Sequence, residues 1–156
     1  MFFKKKEKKE EKKELLYREN VRVNCQAAPQ ETVIRQVGQM LVDSGYVDAA
    51  YVDAMLEREK TVSTFMGNGL ALPHGVEAAK KDIKASGIAV MTFPEGTDWN
   101  GNRANVVIGI AGVGRIIFRS FRLLRKKCWM RNLQREWQKG MQKRSIRFSQ
   151  ERSNAQ

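Results

Sequence analysis

Histidine and cysteine are scarce in this chain of 156 residues. His74 is the only histidine, which excludes metal sites built on paired histidines and hydrolytic sites that need a second one. The two cysteines, Cys25 and Cys128, are too few for a disulfide framework and too distant in sequence to complete a zinc site with one histidine. The sequence therefore predicts neither a metal centre nor a disulfide-stabilised fold.

Long apolar runs are also missing. No stretch approaches the roughly 18 apolar residues that cross a membrane. The first residues, Met1-Phe2-Phe3 before a run of lysines, lack the apolar stretch of a signal peptide. A cytoplasmic location is expected, and 42% apolar residues are enough to build the core of one domain.

Acidic residues are outnumbered, with 17 Asp and Glu against 29 Lys and Arg and a formal charge of +12. A charge of that size raises nucleic acid or an anionic membrane as partners. However, the excess lies at the two ends. Seven lysines and four glutamates fall in residues 1–14, nine basic and eleven acidic residues in 15–114, and thirteen basic and two acidic residues in 115–156. We therefore divide the chain into a charged low-complexity arm (1–14), a core (15–114) and a basic tail (115–156).

The core pattern predicts helices alternating with apolar strands. One helix begins at Gln30, places its apolar residues on one face and stops at Gly45. A second takes Asp48 as its N-cap and runs to about Lys60. A third helix is expected at 76–83, and strands at 62–66, 70–72, 88–93 and 106–110. This order predicts an α/β fold, a single-domain sandwich of a mixed β-sheet flanked by helices, with an atypical C-terminal part.

Within the core, His74 is the strongest candidate for chemistry. It lies in Pro73-His74-Gly75, after a short strand and directly before the third predicted helix. The free N–H groups of a helix N-terminus favour a negatively charged group beside the imidazole, and a histidine can attack phosphorus and hold a phosphoryl group. A structural or surface histidine is the alternative that the residue type alone favours. The glycines at 109–114 lack both the Lys-Ser/Thr ending of a phosphate loop and the spacing of a dinucleotide loop.

A longer pattern surrounds this histidine. It comprises Gly45-Tyr46-Val47, the segment AMLEREK at 54–60, TFMGNGLALPHG at 64–75, FPEG at 93–96 and VIGIA at 107–111. In order and spacing, residues 19–114 resemble the enzyme IIA components of the mannitol branch of the bacterial phosphoenolpyruvate-dependent sugar phosphotransferase system.

The resemblance implies a phosphotransferase component for mannitol uptake that works through a phosphohistidine. His74 would accept a phosphoryl group from the phosphocarrier protein HPr and pass it to a cysteine of the IIB component of the permease. Arg58 would lie beside His74 and clamp the phosphoryl oxygens, although the sequence alone favours an exposed cation at a helix end. Asn68 and Thr64 would support the phosphoryl pocket as hydrogen-bond donors. No cofactor is implied, because the donor is itself a phosphoprotein, no nucleic acid is expected, and the membrane is reached only through the permease.

After Gly114 the chain leaves the family's pattern. The family continues with an acidic residue, a second histidine that helps to bind the phosphoryl group, and an acidic helix, whereas this chain continues with Arg115-Ile116-Ile117-Phe118. Back-translation in a shifted reading frame permits Asp-His-Leu at this point, so we hypothesise that residues 115–156 are a frameshifted reading. Without the family's last helices, apolar surface on the strand near Ile108 is expected to be exposed.

Two alternative functions stay open at this level. If the tail is taken as written, it predicts a basic amphipathic helix that could bind RNA or anionic lipid. The protein would then be a nucleic-acid- or membrane-surface-binding protein built on a IIA-like core. The second alternative is a regulatory IIA-like module that is phosphorylated but feeds no transporter.

Overall fold

The computed structural model describes residues 13–112, and the predictions for residues 1–12 and for the tail lie outside this range. The α-helices are α1 (Gln30–Asp43) and α2 (Ala50–Thr61). The strands are β1 (Val21–Arg22), β2 (Phe65–Gly67), β3 (Leu70–Ala71), β4 (Gly87–Trp99) and β5 (Asn102–Ala111). Short 3-10 helices span Arg18–Asn20 and Glu77–Asp82. Within this part of the chain, no helix combines the length and the apolar character that a membrane crossing requires.

The strands form one mixed sheet in the order β1-β4-β5-β3-β2. The two hairpins, β4–β5 and β2–β3, are antiparallel, whereas β1 pairs with β4 and β3 pairs with β5 in parallel. Helices packed on a mixed sheet confirm the predicted α/β sandwich. The parallel pairing of β3 with β5 matters most for the site, because β3 leads directly into the segment that carries His74.

Helix α1 has the apolar face that the sequence predicts. Its buried residues recur at helical spacing: Val33, Ile34, Val37, Gly38, Met40 and Leu41. All of them except Gly38 join the sheet residues Met91 and Val107 in the larger of two apolar clusters. The helix ends at Asp43, and Gly45 follows with a positive φ of 70°. The apolar spacing was therefore enough to place this helix and its end.

The opposite face of the sheet is also buried. Ile88, Val90, Ile108 and Ile110 form a second apolar cluster, and Ile108 is only 1% exposed. The expectation that the strand near Ile108 would be exposed was wrong. Partly buried leucines pack against this cluster from the start of the core and from the segment before His74: Leu15, Leu16, Leu70 and Leu72.

Helix α2 begins at Ala50, and its N-cap is Ala49 rather than the predicted Asp48. The Asp48 carboxylate instead pairs with the Lys84 ammonium group at 2.7 Å. No side-chain hydrogen bond caps the first turn of the helix, so the capping prediction was wrong by one residue.

The third predicted helix is also different in the structure. Residues 77–82 form a 3-10 helix of six residues, of which only Ala79 is buried. Both ends of the segment are held, since the Val76 N–H donates to the Ala54 carbonyl at 3.3 Å and Ile83 forms an antiparallel bridge with Val47. A 3-10 helix rises further per residue than an α-helix and suits a short span between fixed points. The prediction that His74 lies at the N-terminus of an α-helix was therefore wrong, and a helix dipole does not account for its chemistry.

Candidate functional site

His74 lies beside the end of β5, on the segment that follows β3. It forms an isolated parallel bridge with Ile110, and the Ile110 N–H donates to the Pro73 carbonyl at 2.9 Å. The main chain around the histidine is thus fixed to the sheet, while the side chain is only half-buried. A partly accessible imidazole on a fixed backbone can meet a reactant from solution without a large rearrangement.

The imidazole of His74 is oriented by a main-chain acceptor. Its Nδ1 lies 2.8 Å from the carbonyl oxygen of Leu72. A carbonyl oxygen can only accept a hydrogen bond, so Nδ1 carries the proton in this contact. In the neutral ring Nε2 then holds the lone pair, which makes Nε2 the nucleophilic nitrogen.

Tyr51, in the first turn of α2, connects this helix to both chain segments of the bridge between His74 and Ile110. Its hydroxyl accepts a hydrogen bond from the Gly75 N–H at 3.0 Å and donates one to the Ile110 carbonyl at 2.8 Å. The ring is 3% exposed, and burial raises the pKa of the Tyr51 hydroxyl above its ordinary value, although the hydrogen bond from Gly75 opposes that rise. The hydroxyl therefore stays protonated as both donor and acceptor at neutral pH.

Arg58 lies two helical turns after Tyr51 on the same side of α2. Positions 51, 54 and 58 share one face of a helix, and Tyr51 and Ala54 both contact the segment after His74. The Arg58 guanidinium donates to the Val62 carbonyl at 2.7 Å just beyond the end of the helix. Arg58 thus shares a face of α2 with Tyr51, and one of its five N–H donors is used by the main chain. Its contact with His74 stays a prediction.

The sequence analysis missed Glu59, which the structure makes the centre of a buried hydrogen-bond network. The residue is 7% exposed. Its carboxylate accepts hydrogen bonds from four side chains on three separate segments: Gln30 at 2.9 Å, Ser63 at 3.0 Å, Trp99 at 2.9 Å and Asn100 at 3.3 Å. In the sequence, Glu57-Arg58-Glu59-Lys60 resembles an exposed charged helix end, and no local signal separates the buried glutamate from its exposed neighbour Glu57.

Thr64 is buried and bonded to the same carboxylate. Its N–H donates to Glu59 Oε2 at 3.0 Å, and its hydroxyl also donates to that oxygen. Its carbonyl accepts from the Leu72 N–H at 3.0 Å. Thr64 therefore links Glu59 to the residue whose own carbonyl orients the histidine, and its hydroxyl is directed to Glu59 in this state of the protein.

Asn68 lies in the tight turn between β2 and β3. Asn68 and Gly69 both have positive φ values, 51° and 73°, and connect the paired residues Gly67 and Leu70. A two-residue Asn-Gly turn of this kind fits the twist of a hairpin. Asn68 is exposed at the tip of this hairpin.

Comparison with known proteins gives a consistent match over the same region. Residues 14–115 match the family described as "Phosphoenolpyruvate-dependent sugar phosphotransferase system, EIIA 2". The mannitol-specific phosphotransferase enzyme IIA component of Staphylococcus aureus is 48% identical over 99 residues, which cover 64% of this chain and 69% of that protein.

Two solved structures from Escherichia coli are similar to the chain. One is the complex of the mannitol enzyme IIA with the phosphorylated mannitol enzyme IIB, with a TM-score of 0.65 and 34% identity over 72% of this chain and 81% of that one. The other is the crystal structure of IIA mannitol, with a TM-score of 0.61 and 37% identity over 68% of this chain and 77% of that one.

Proposed function

The chain belongs to the EIIA 2 family of the phosphoenolpyruvate-dependent sugar phosphotransferase system, and we propose that it carries the phosphoryl group for mannitol uptake on His74. Its function as a phosphotransferase component follows from its membership of this family. The phosphohistidine, the two protein partners, the choice of mannitol and a cytoplasmic location are the parts that we propose.

The hydrogen bond between His74 Nδ1 and the Leu72 carbonyl is the observation that carries the proposal. It supports Nε2 as the atom that attacks phosphorus. In the proposed step the Nε2 lone pair forms a bond to the phosphorus of phospho-HPr while the bond between phosphorus and the donor breaks. The donor leaves with the electron pair of that bond. In the second step a cysteine thiolate of the IIB component attacks the same phosphorus, and His74 Nε2 leaves with its lone pair restored.

We propose that Arg58 stabilises the phosphoryl group in both steps. A guanidinium presents several N–H donors in a plane and can hold two phosphoryl oxygens at once as their charge changes. One Arg58 N–H is held by the Val62 carbonyl, which fixes the side chain near the end of α2. The remaining donors are free of that contact and can serve the phosphoryl oxygens.

The roles of Thr64 and Asn68 as supports of the phosphoryl pocket stay predictions. Since the Thr64 hydroxyl is bonded to Glu59, it would have to turn towards a phosphoryl oxygen when one is present. The Asn68 side chain would have to reach the same group from the hairpin tip.

The proposed partners and sugar follow from the relatives. The complex of enzyme IIA with phosphorylated enzyme IIB supports a IIB partner for this chain, and HPr is proposed as the donor through the family's role. Mannitol is proposed because the curated relative is mannitol-specific.

The test is to label the full chain and its His74→Ala variant with radioactive phosphate from phospho-HPr. We expect rapid acid-labile labelling of the unsubstituted chain and none of the variant, because no other histidine is available. Lys80→Ala, at an exposed position in the nearby 3-10 helix, is the control and should label normally. Labelling that persists without His74 would rule out this residue as the acceptor.

A second measurement addresses the sugar. The phosphorylated chain is mixed separately with a mannitol-type IIB and a fructose-type IIB, and the loss of label from the chain is followed. We expect rapid transfer to the mannitol type. Equal or faster transfer to the fructose type would contradict the choice of mannitol while leaving phosphoryl transfer in place.

A further inference from the structure

We infer that Tyr51 is a positioning residue of the His74 site and acts through the main chain on either side of the imidazole. The inference rests on the proposed phosphorylation of His74. Tyr51 itself is buried within the core, so its side chain does not contact a donor protein directly.

The hydroxyl of Tyr51 lies where a sheet hydrogen bond would otherwise be expected. In the parallel bridge of His74 with Ile110, one bond runs from the Ile110 N–H to the Pro73 carbonyl at 2.9 Å. The matching bond would run from the Gly75 N–H to the Ile110 carbonyl. The Tyr51 hydroxyl bonds to both of these groups, at 3.0 Å and 2.8 Å.

The hydrogen bond from the Gly75 N–H to Tyr51 restrains the main chain after His74, whereas the Leu72 carbonyl restrains the imidazole from the main chain before it. The ring is held through Nδ1 by the Leu72 carbonyl, two residues earlier, and the peptide after the ring is held by Tyr51. A rotation of the peptide between His74 and Gly75 would change the direction of the side chain and lengthen the Nδ1 contact. Tyr51 therefore maintains both the direction of Nε2 and the tautomer that leaves Nε2 unprotonated.

The test uses Tyr51→Phe, which keeps the ring and removes only the hydroxyl, with Tyr46→Phe as the matched control. Tyr46 is also fully buried, and its hydroxyl donates to the Glu14 carbonyl at 2.5 Å, outside the histidine bridge. Tyr51→Phe loses both hydrogen bonds of the hydroxyl, and at saturating phospho-HPr we expect it to lower the phosphorylation rate about three- to tenfold. The phospho-HPr concentration that gives half the maximal rate should not rise, and Tyr46→Phe should change neither quantity.

The ¹⁵N NMR signals of the His74 imidazole supply a readout that a purely structural role would not move. In the unsubstituted chain at a pH where the ring is neutral, we expect Nδ1 to be protonated and Nε2 not. In Tyr51→Phe the two signals should move towards each other as the tautomers mix, and in Tyr46→Phe they should not. Unchanged His74 signals in a folded Tyr51→Phe protein would overturn the inference.

The phosphorylation assay and the NMR measurement test the proposed function and the role of Tyr51 separately. If the unsubstituted chain takes no label from phospho-HPr, the proposed function fails, while the imidazole signals still decide whether Tyr51 positions the ring. If Tyr51→Phe does not fold, hydrogen exchange of the Gly75 amide in the unsubstituted chain replaces it. Protection of that amide supports the contact, and exchange as fast as that of exposed amides overturns the inference.

Discussion

The nearest neighbours of His74 act through their main chains. The Leu72 carbonyl holds Nδ1, and the Gly75 N–H is bonded to the Tyr51 hydroxyl. Gly75 also permits the close approach of α2, because a Cβ atom at this position would lie 2.6 Å from the Tyr51 ring. At the scale of single residues, the site is thus determined by backbone geometry and close packing rather than by a cluster of charges.

Arg58 offers a prediction at this scale. Replacement by Ala should lower the phosphorylation rate by about a hundredfold, as expected for the loss of a donor that stabilises charge in a transition state. The phosphorylation rate of Arg58→Lys should lie between those of Arg58→Ala and the unsubstituted chain, since lysine keeps the charge but lacks the planar pair of donors. The rate is measured with phospho-HPr at saturation.

Arg35 provides the control for Arg58. It lies on α1, is exposed and pairs with Glu31 and Asp53. Arg35→Lys should label at the rate of the unsubstituted chain. A rate for Arg58→Ala equal to that of the Arg35 variant would contradict the proposed role.

The sequence predicted His74 and Arg58 as site residues through the spacing of the family motif, but it did not predict Glu59 or Tyr51. Spacing along a helix indicates which residues share a face, and this puts Arg58 on the same face of α2 as Tyr51. It does not indicate which of two glutamates is buried, because that depends on donors that arrive from Gln30 and Trp99 far along the chain. Networks of this kind become visible only when distant segments are brought together.

At the scale of elements, Glu59 fixes the end of α2 to three other parts of the fold. Its donors come from the start of α1, the segment before β2 and the turn between β4 and β5. A buried carboxylate is stable only when its oxygens are saturated with hydrogen bonds. Thr64 belongs to the same network, and its carbonyl accepts a hydrogen bond from the Leu72 N–H. The network therefore also supports the main chain that leads to His74.

We predict that Glu59→Ala destabilises the protein by about 3–5 kcal/mol, because several buried donors would lose a charged acceptor at once. The free energy of unfolding is measured with urea. Glu57→Ala, an exposed change on the same helix, should alter it by no more than about 0.5 kcal/mol. Similar values for the two variants would show that the network contributes little to stability.

Elements with a simple apolar period were predicted well, and irregular ones were not. The stripe on α1 determines both its position and its buried face. The segment at 77–82 has helix-forming residues but buries only Ala79, so tertiary contacts at its two ends determine its form. Strand β4 was expected to end at Phe93 yet continues to Trp99, because the irregular pairing between Thr92 and Thr97 accommodates Pro94-Glu95-Gly96 within the strand.

At the scale of the whole molecule, the first described residues are part of the packed structure. The Lys13 ammonium group donates to the carbonyls of Ser44 and Gly45 at the end of α1, at 2.9 Å and 2.8 Å. The Leu15 carbonyl accepts from the Ile88 N–H at 2.8 Å. Residues 13–15 thus connect the helical layer with β4. The division of the chain at residue 14 and the frameshift hypothesis for residues 115–156 stay predictions, and the family match ends at residue 115, next to the change in composition.

We predict a loss of stability in alkali that involves both buried tyrosines. Burial is the main cause that raises the pKa of Tyr46 and of Tyr51 in the folded protein. Below the ordinary tyrosine pKa of about 10, both hydroxyls are protonated in the folded and unfolded states alike. Above it, the unfolded chain releases protons that the folded chain retains, so the free energy of unfolding falls by up to about 1.4 kcal/mol per pH unit for each tyrosine.

Urea unfolding between pH 9 and pH 11 measures this slope. Tyr46→Phe removes one of the two groups and should make the decline less steep, even though the variant starts from a lower stability. An equal slope in the variant and the unsubstituted chain would contradict the assignment.

The acceptor that orients the proposed nucleophile is a peptide oxygen, and this has a consequence for genetics. Every amino acid at position 72 supplies a carbonyl, so no amino-acid substitution can delete the group that bonds to His74 Nδ1. Apart from proline, which would also remove the N–H that donates to the Thr64 carbonyl, a saturation-mutagenesis map would therefore score substitutions of Leu72 by how well the new side chain packs beside Ile108 and its neighbours. The contact that orients the imidazole would leave no trace in such a map, and an inherited substitution could disturb it only indirectly, by displacing the backbone.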